Sequence, residues 1–125
     1  MTTILDLFDI LRHAKRLDVR IEVCIIGGDG ARSKAWVSST CANDSLLDIV
    51  AFPDSDSWHP RMTVIKAIVR IADMLIYHTV EPSAPITVDI LDDGSARRWS
   101  TYTVTAAWET VDGITIECRE PSRDN

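Results

Sequence analysis

Few side chains in this sequence are of a type and spacing suited to chemistry, and they are scattered. Gly27, Gly28 and Gly30 lie in the stretch IIGGDGARSK, with Arg32 and Lys34 close behind. Glycines ahead of cations are the raw material of a phosphate loop, whose backbone N–H groups cradle the anion. The pattern is incomplete. A dinucleotide fingerprint needs G-x-G-x-x-G between a strand and a helix, but Ser33 stands at the third glycine and a strand-like run follows. No G-x-x-x-x-G-K-[ST] run is present. The glycines are therefore assigned to a tight, bulged turn that needs positive φ.

A second group surrounds the loop PDSDSWHP, residues 53–60. Asp54, Asp56 and His59 form D-x-D-x-x-H, three groups able to ligate a metal. His59, however, stands where a calcium loop of the EF-hand type has its glycine. Cys41 is placed on a loop after a strand, where His59 could reach it as a nucleophile–base pair. Neither His13, His59 nor His78 has a second His or Cys at ligand spacing, and G-x-S-x-G is absent. His13 follows Asp9 by one turn and is assigned to a solvated pair. No metal and no cofactor is expected. A small enzyme using Cys41 or the Asp54/Asp56/His59 loop is kept as an alternative.

The charge layout says more. The formal net charge is −6 in 125 residues. This argues against direct nucleic-acid binding, which needs a clustered positive field. Between residues 41 and 60 stand Asp44, Asp48, Asp54 and Asp56 with no Lys or Arg. Between 80 and 96 stand Glu81, Asp89, Asp92 and Asp93, again with no base. Acids grouped in this way suit a basic partner surface.

These groups must be held by a single domain, expected over residues 1–118 with a disordered tail over 119–125. Three cysteines without C-x-x-C spacing, no signal-peptide pattern and no long apolar run lead to a cytoplasmic expectation, with no membrane partner. Ile4, Leu7, Phe8 and Leu11 recur at helical spacing, so a helix is expected over 3–16, capped by Thr3 with Asp6. Val19, Ile21, Val23 and Ile25 then alternate as a strand, and residues 34–40 return as its hairpin partner. Residues 45–52 carry both helix and strand signals and are assigned to a third strand. A helix is expected over 60–78, with Pro60 in its first turn. It carries two apolar stripes, one of Val64, Ile68, Ile71 and Leu75 and another of Ile65, Val69, Ala72 and Ile76. That arc is wider than one sheet face covers, so this helix is either central or meets a second subunit as a homodimer. Alternating runs at 86–90, 101–108 and 114–118 complete an α+β fold of order α-β-β-(β)-α-β-β-β, an antiparallel sheet with two helices on one side.

Residues 21–36 and 86–99 share I-x-V-x-I, an Asp-Gly turn, a basic pair and a Trp. They read either as a duplicated helix–hairpin unit, with Trp36 and Trp99 in related positions, or as convergence on one hairpin pattern.

The expected function is that of a small acidic, non-enzymatic protein-binding module. It would be an inhibitor or adaptor that occupies a basic, nucleic-acid-binding surface of a partner protein, in the manner of anti-CRISPR, anti-restriction or immunity proteins. Asp44, Asp48, Asp54, Asp56, Asp92 and Asp93 are the expected contacts, with Trp58 as aromatic anchor. The order of the first seven elements, the acidic charge and the apolar arc of residues 60–78 also resemble the type III secretion chaperones, which implies a dimeric acidic chaperone. The C-terminal helix of that family is replaced here by the strand around Ile114.

Overall fold

The computed structural model describes residues 2–91 and 98–120. Its elements are α1 (Ile4–Arg12), β1 (Ile21–Ile26), β2 (Arg32–Asn43), β3 (Leu46–Pro53), α2 (Val64–Ile76), β4 (Ile86–Leu91), β5 (Trp99–Thr110) and β6 (Gly113–Arg119). The expected element order is therefore observed, and residues 46–53 are a strand. That segment read ambiguously because β3 is buried on both faces, Asp48 and Phe52 outside as well as Leu47, Ile49 and Ala51 inside. A strand covered on both sides does not alternate.

The sheet differs from the antiparallel layer expected. The six strands close into a barrel in chain order. Within each half the strands form an antiparallel meander, β1–β2–β3 and β4–β5–β6. The halves join through two parallel pairings, β3 with β4 and β6 with β1. The crossover through α2 makes β3 and β4 parallel, since a tight turn cannot. Pairing β6 with β1 then satisfies backbone groups that an open sheet would leave at its edges. β2 and β5 each carry a register shift, after Val37 and after Val104. Bulges of this kind bend long strands and assist closure.

The two halves are a structural repeat. Ile21 sits opposite Ile114 where Ile86 sits opposite Leu47. Glu22 faces Trp36 as Thr87 faces Thr103, and Ile26 faces Arg32 as Leu91 faces Trp99. Trp36 thus corresponds to Thr103, and Trp99 to Arg32. The equivalence of the two tryptophans read from the sequence is corrected, because the second hairpin has the longer connection. The Asp-Gly turn expected there, with Asp92 and Asp93, falls outside the described residues, as does the expected tail from residue 121 onward.

The helices obey the same repeat. Thr3 caps α1 by accepting from the N–H of Asp6, whose carboxylate accepts from Thr3 in turn. Thr63 caps α2 by accepting from the N–H of Lys66. The next free N–H groups go to the other half. Ile4 and Leu5 donate to the carbonyls of Ala84 and Pro82, and Val64 and Ile65 donate to those of Val19 and Leu17. Each helix start is thereby tied to the chain entering the first strand of the opposite half, which satisfies groups that helix ends leave open. Both helices are shorter than expected. α1 stops at the His13 cap, where the chain turns toward β1, and Pro60 precedes α2 instead of lying in its first turn.

Ile4, Leu7 and Leu11 of α1 and Val64, Ala67 and Ile71 of α2 join the inward strand residues in one core cluster. Ile21, Leu47, Ile86, Ile114 and Ile116 are almost fully buried there. Burial of each such side chain contributes roughly 1.5–3 kcal/mol. No helix among the described residues is long and apolar enough to cross a membrane.

Candidate partner-binding surface

The outer face of β2, β3, β4 and β5 and the loop after β3 hold most of the residues singled out in the sequence. Pro53 ends β3, and the N–H of Asp56 closes a turn onto its carbonyl. Asp56 then braces the turn. Its Oδ1 accepts from the N–H groups of Trp58 and His59 at 2.8 and 3.0 Å, and its Oδ2 lies 3.0 Å from His59 Nδ1. These bonds, those from His59 first, hold the Asp56 carboxyl below its ordinary pKa. The His59 ring lies flat on Phe52, with centroids 3.6 Å apart, and Trp99 meets Phe52 edge-on at 5.7 Å. Trp58 is left standing in solvent, 88% exposed.

Asp54 is equally engaged. Its Oδ1 accepts the Trp36 indole N–H at 2.6 Å and lies 3.7 Å from Arg61 Nη2. The Arg61 guanidinium and the Lys34 ammonium stand 4.6 and 4.9 Å from the Trp36 ring centroid. Such cation–π contacts contribute about 0.5–1 kcal/mol at exposed sites. An outward row therefore crosses the sheet from Trp36 through Phe52 and Leu91 to Trp99.

Further along the same face, Asp48 is buried between β2 and β4. Thr87 donates to it at 2.9 Å, and the Cys41 thiol lies 3.9 Å away. Burial, then the hydrogen bond to the Asp89 carboxylate, push its pKa up to about 6. Asp89 accepts from Thr101. Arg70 of α2 reaches this edge by donating to the Thr40 carbonyl at 3.0 Å.

The four expected acids among the described residues, Asp44, Asp48, Asp54 and Asp56, are not gathered at one place. Asp44 sits in the β2–β3 turn at φ 51, before β3 begins, and Asp54 follows its end. Ten residues of extended chain separate them by about 30 Å. Asp54 and Asp56 are bound into their loop, Asp48 is buried beside the half-buried Asp89, and Asp92 and Asp93 lie outside the described residues.

The other candidates also change. Cys41 lies within β2, not on a loop, opposite Asp48. His59 stacks on Phe52, four residues further along β3, so the structure does not bring the two together. Burial first, then the nearby Asp48 charge, raise the Cys41 thiol pKa, against the direction that activates a nucleophile. No cluster of three or more His, Cys, Asp or Glu with metal-holding geometry occurs among the described residues. His13 Nδ1 lies 2.7 Å from the Asp9 carbonyl, while the Asp9 carboxylate pairs with Arg12. In the glycine stretch only Gly30 takes a positive φ, 83°, and its N–H closes the β1–β2 turn onto Gly27.

Sequence reasoning missed the Phe52–His59–Trp99 cluster and the pairing of Asp48 with Asp89. Asp48 carried a signal, since it interrupts the apolar run LLDIVAF. The open end of the barrel, where β1 and β4 finish, also holds a cavity of about 560 Å³. Ile25, Ile90 and Tyr102 line it beside a polar rim of Ser33, Lys34, Asp54 and Ser100. Comparison with protein-family models, with curated proteins and with solved structures gives no match.

Proposed function

We propose that this chain is a non-enzymatic protein-binding module that meets its partner through the outer face of β2–β5 and the loop after β3. The observation that carries the reading is Trp58, 88% exposed on a turn that Asp56 braces. A large aromatic on a rigid support loses little freedom on binding, and tryptophan is enriched among the residues that dominate interface energies. Trp99, 53% exposed, extends the apolar patch. Asp48 and Asp89 lie further along the same face, and the net charge of −6 favours a basic partner surface. Such a module acts as an inhibitor or adaptor by covering that surface. Asp44 belongs to no part of it, and Asp54 and Asp56 serve it mainly by holding the loop.

The test begins with affinity capture from native cells and mass spectrometry, followed by titration of the captured protein. Trp58→Ala is expected to weaken binding at least tenfold, and Asp48→Asn with Asp89→Asn to flatten its salt dependence. Equal affinity of the wild type and Trp58→Ala would overturn the reading.

A further inference from the structure

The structural repeat supplies an internal comparison for the outer faces of the two helices. Ile4, Leu7 and Leu11 of α1 are buried where Val64, Ala67 and Ile71 of α2 are buried, which sets the helices in register. Leu5 then corresponds to Ile65, Asp9 to Val69 and Arg12 to Ala72. On α1 the last two of these positions, Asp9 and Arg12, are charged and close an ion pair at 3.0 Å. On α2 the same stripe is apolar and exposed, with Ile65 at 45%, Val69 at 54% and Ile76 at 68%. The neighbouring Tyr77 is 74% exposed. Leu5, 46% exposed, matches Ile65, so the two helices differ at the next two positions, where α1 carries an ion pair and α2 Val69 and Ala72; the fold itself does not demand apolar residues there.

We propose that the α2 stripe is a homodimer interface, in which α2 packs antiparallel against α2 of a second copy. Ile65, Val69, Ala72 and Ile76 follow four-three-four spacing, the seam of a two-helix coiled contact. An antiparallel two-fold pairing sets Val69 against Ala72 of the partner and Ile65 against Ile76 of the partner, so one stripe complements itself. The small Ala72 lets the helices approach at the centre. The flanking charges choose the occupant. Lys66 and Asp73 stand seven residues apart, each one position after a seam residue, Ile65 and Ala72. Antiparallel pairing brings Lys66 of each copy beside Asp73 of the other, whereas a parallel pairing leaves these two positions on opposite sides of the seam, where they do not meet. Among the described residues neither side chain has an ion-pair partner in its own chain. This interface is separate from the Trp58 surface and does not depend on it.

Sedimentation equilibrium over about 5–200 µM protein tests the arrangement, a range suited to an interface at the small end of the specific classes. The wild type is expected to dimerise reversibly. Val69→Glu should give a monomer, with circular dichroism showing the fold retained, since Val69 is exposed. Lys66→Asp alone and Asp73→Lys alone should each weaken the dimer at least tenfold, and the double swap should restore it. A wild type that stays monomeric across the range overturns the proposal. Dissociation by Val69→Glu without rescue by the double swap overturns the antiparallel pairing.

Discussion

Asp54 accepts the indole N–H of Trp36 at 2.6 Å, and this bond fastens the loop after β3 to the outer face of β2. A residue that reads from the sequence as a free surface charge is thus a structural tie. Asp54→Ala is expected to cost about 1 kcal/mol, the usual value for an exposed charge-assisted bond. Asp54→Asn, which keeps an acceptor, should cost less. Urea unfolding of both variants checks the order, and equal losses would show that charge, not the indole bond, matters.

Asp48 makes the stability of this protein depend on pH in an unusual direction. Its pKa is raised to about 6 in the folded state from 3.8. The folded state therefore holds a proton that the unfolded chain has released, between about pH 4 and 6. The stabilisation is complete below pH 3.8 and is lost as pH rises through 6. The facing groups are Cys41 on β2 and Thr87 and Asp89 on β4, with Arg70 of α2 nearby. Asp48→Asn mimics the protonated form and should stabilise the protein at pH 8 by about 1 kcal/mol, a value reduced by solvent screening at the sheet surface. At pH 4 it should make little difference. A gain of the same size at both pH values would contradict the raised pKa of Asp48.

Thr40 is 2% exposed, and its hydroxyl oxygen has no hydrogen-bond partner among the described residues. Its backbone carbonyl holds Arg70, so only the side chain is unsatisfied. Thr40→Val removes the stranded hydroxyl, keeps a β-branched shape suited to β2, and should stabilise the fold by about 1 kcal/mol. A lower midpoint in denaturant would mean that the hydroxyl is bonded in solution.

Trp58→Ala should leave stability within about 0.5 kcal/mol of the wild type, because the ring touches solvent and not the core. Intrinsic fluorescence should lose its most solvent-exposed component. Asp56→Ala should perturb the same emission while Trp58 is still present, because the carboxylate braces the turn. An Asp56→Ala spectrum identical to the wild type would deny that bracing role.

Legibility followed the range of the forces involved. The cap at Thr3 was readable because its partner, Asp6, is three residues away. Strands β1 and β4 were readable because one face meets the core and the other is half-exposed, and β6 because polar Thr115 and Glu117 alternate with its core residues, which writes alternation into the chain. β3 was hard because β2 and β4 flank it and its outer face is covered at Asp48 and Phe52. The acids were read by their spacing along the chain, yet an extended strand carries Asp44 and Asp54 to opposite ends of the barrel.

The sequence by itself determined the number, order and kind of the elements, the Thr3 cap of α1 and the repeated hairpin pattern, because these rest on propensity, periodicity and contacts between near neighbours. Only the tertiary structure decided that two meanders close into one barrel, that Trp36 answers to Thr103 instead of Trp99, and that Asp48 meets Asp89. Each of these depends on which strand edges pair and in what register, and that choice is made by residues far apart in the chain once backbone groups and apolar faces must all be satisfied together.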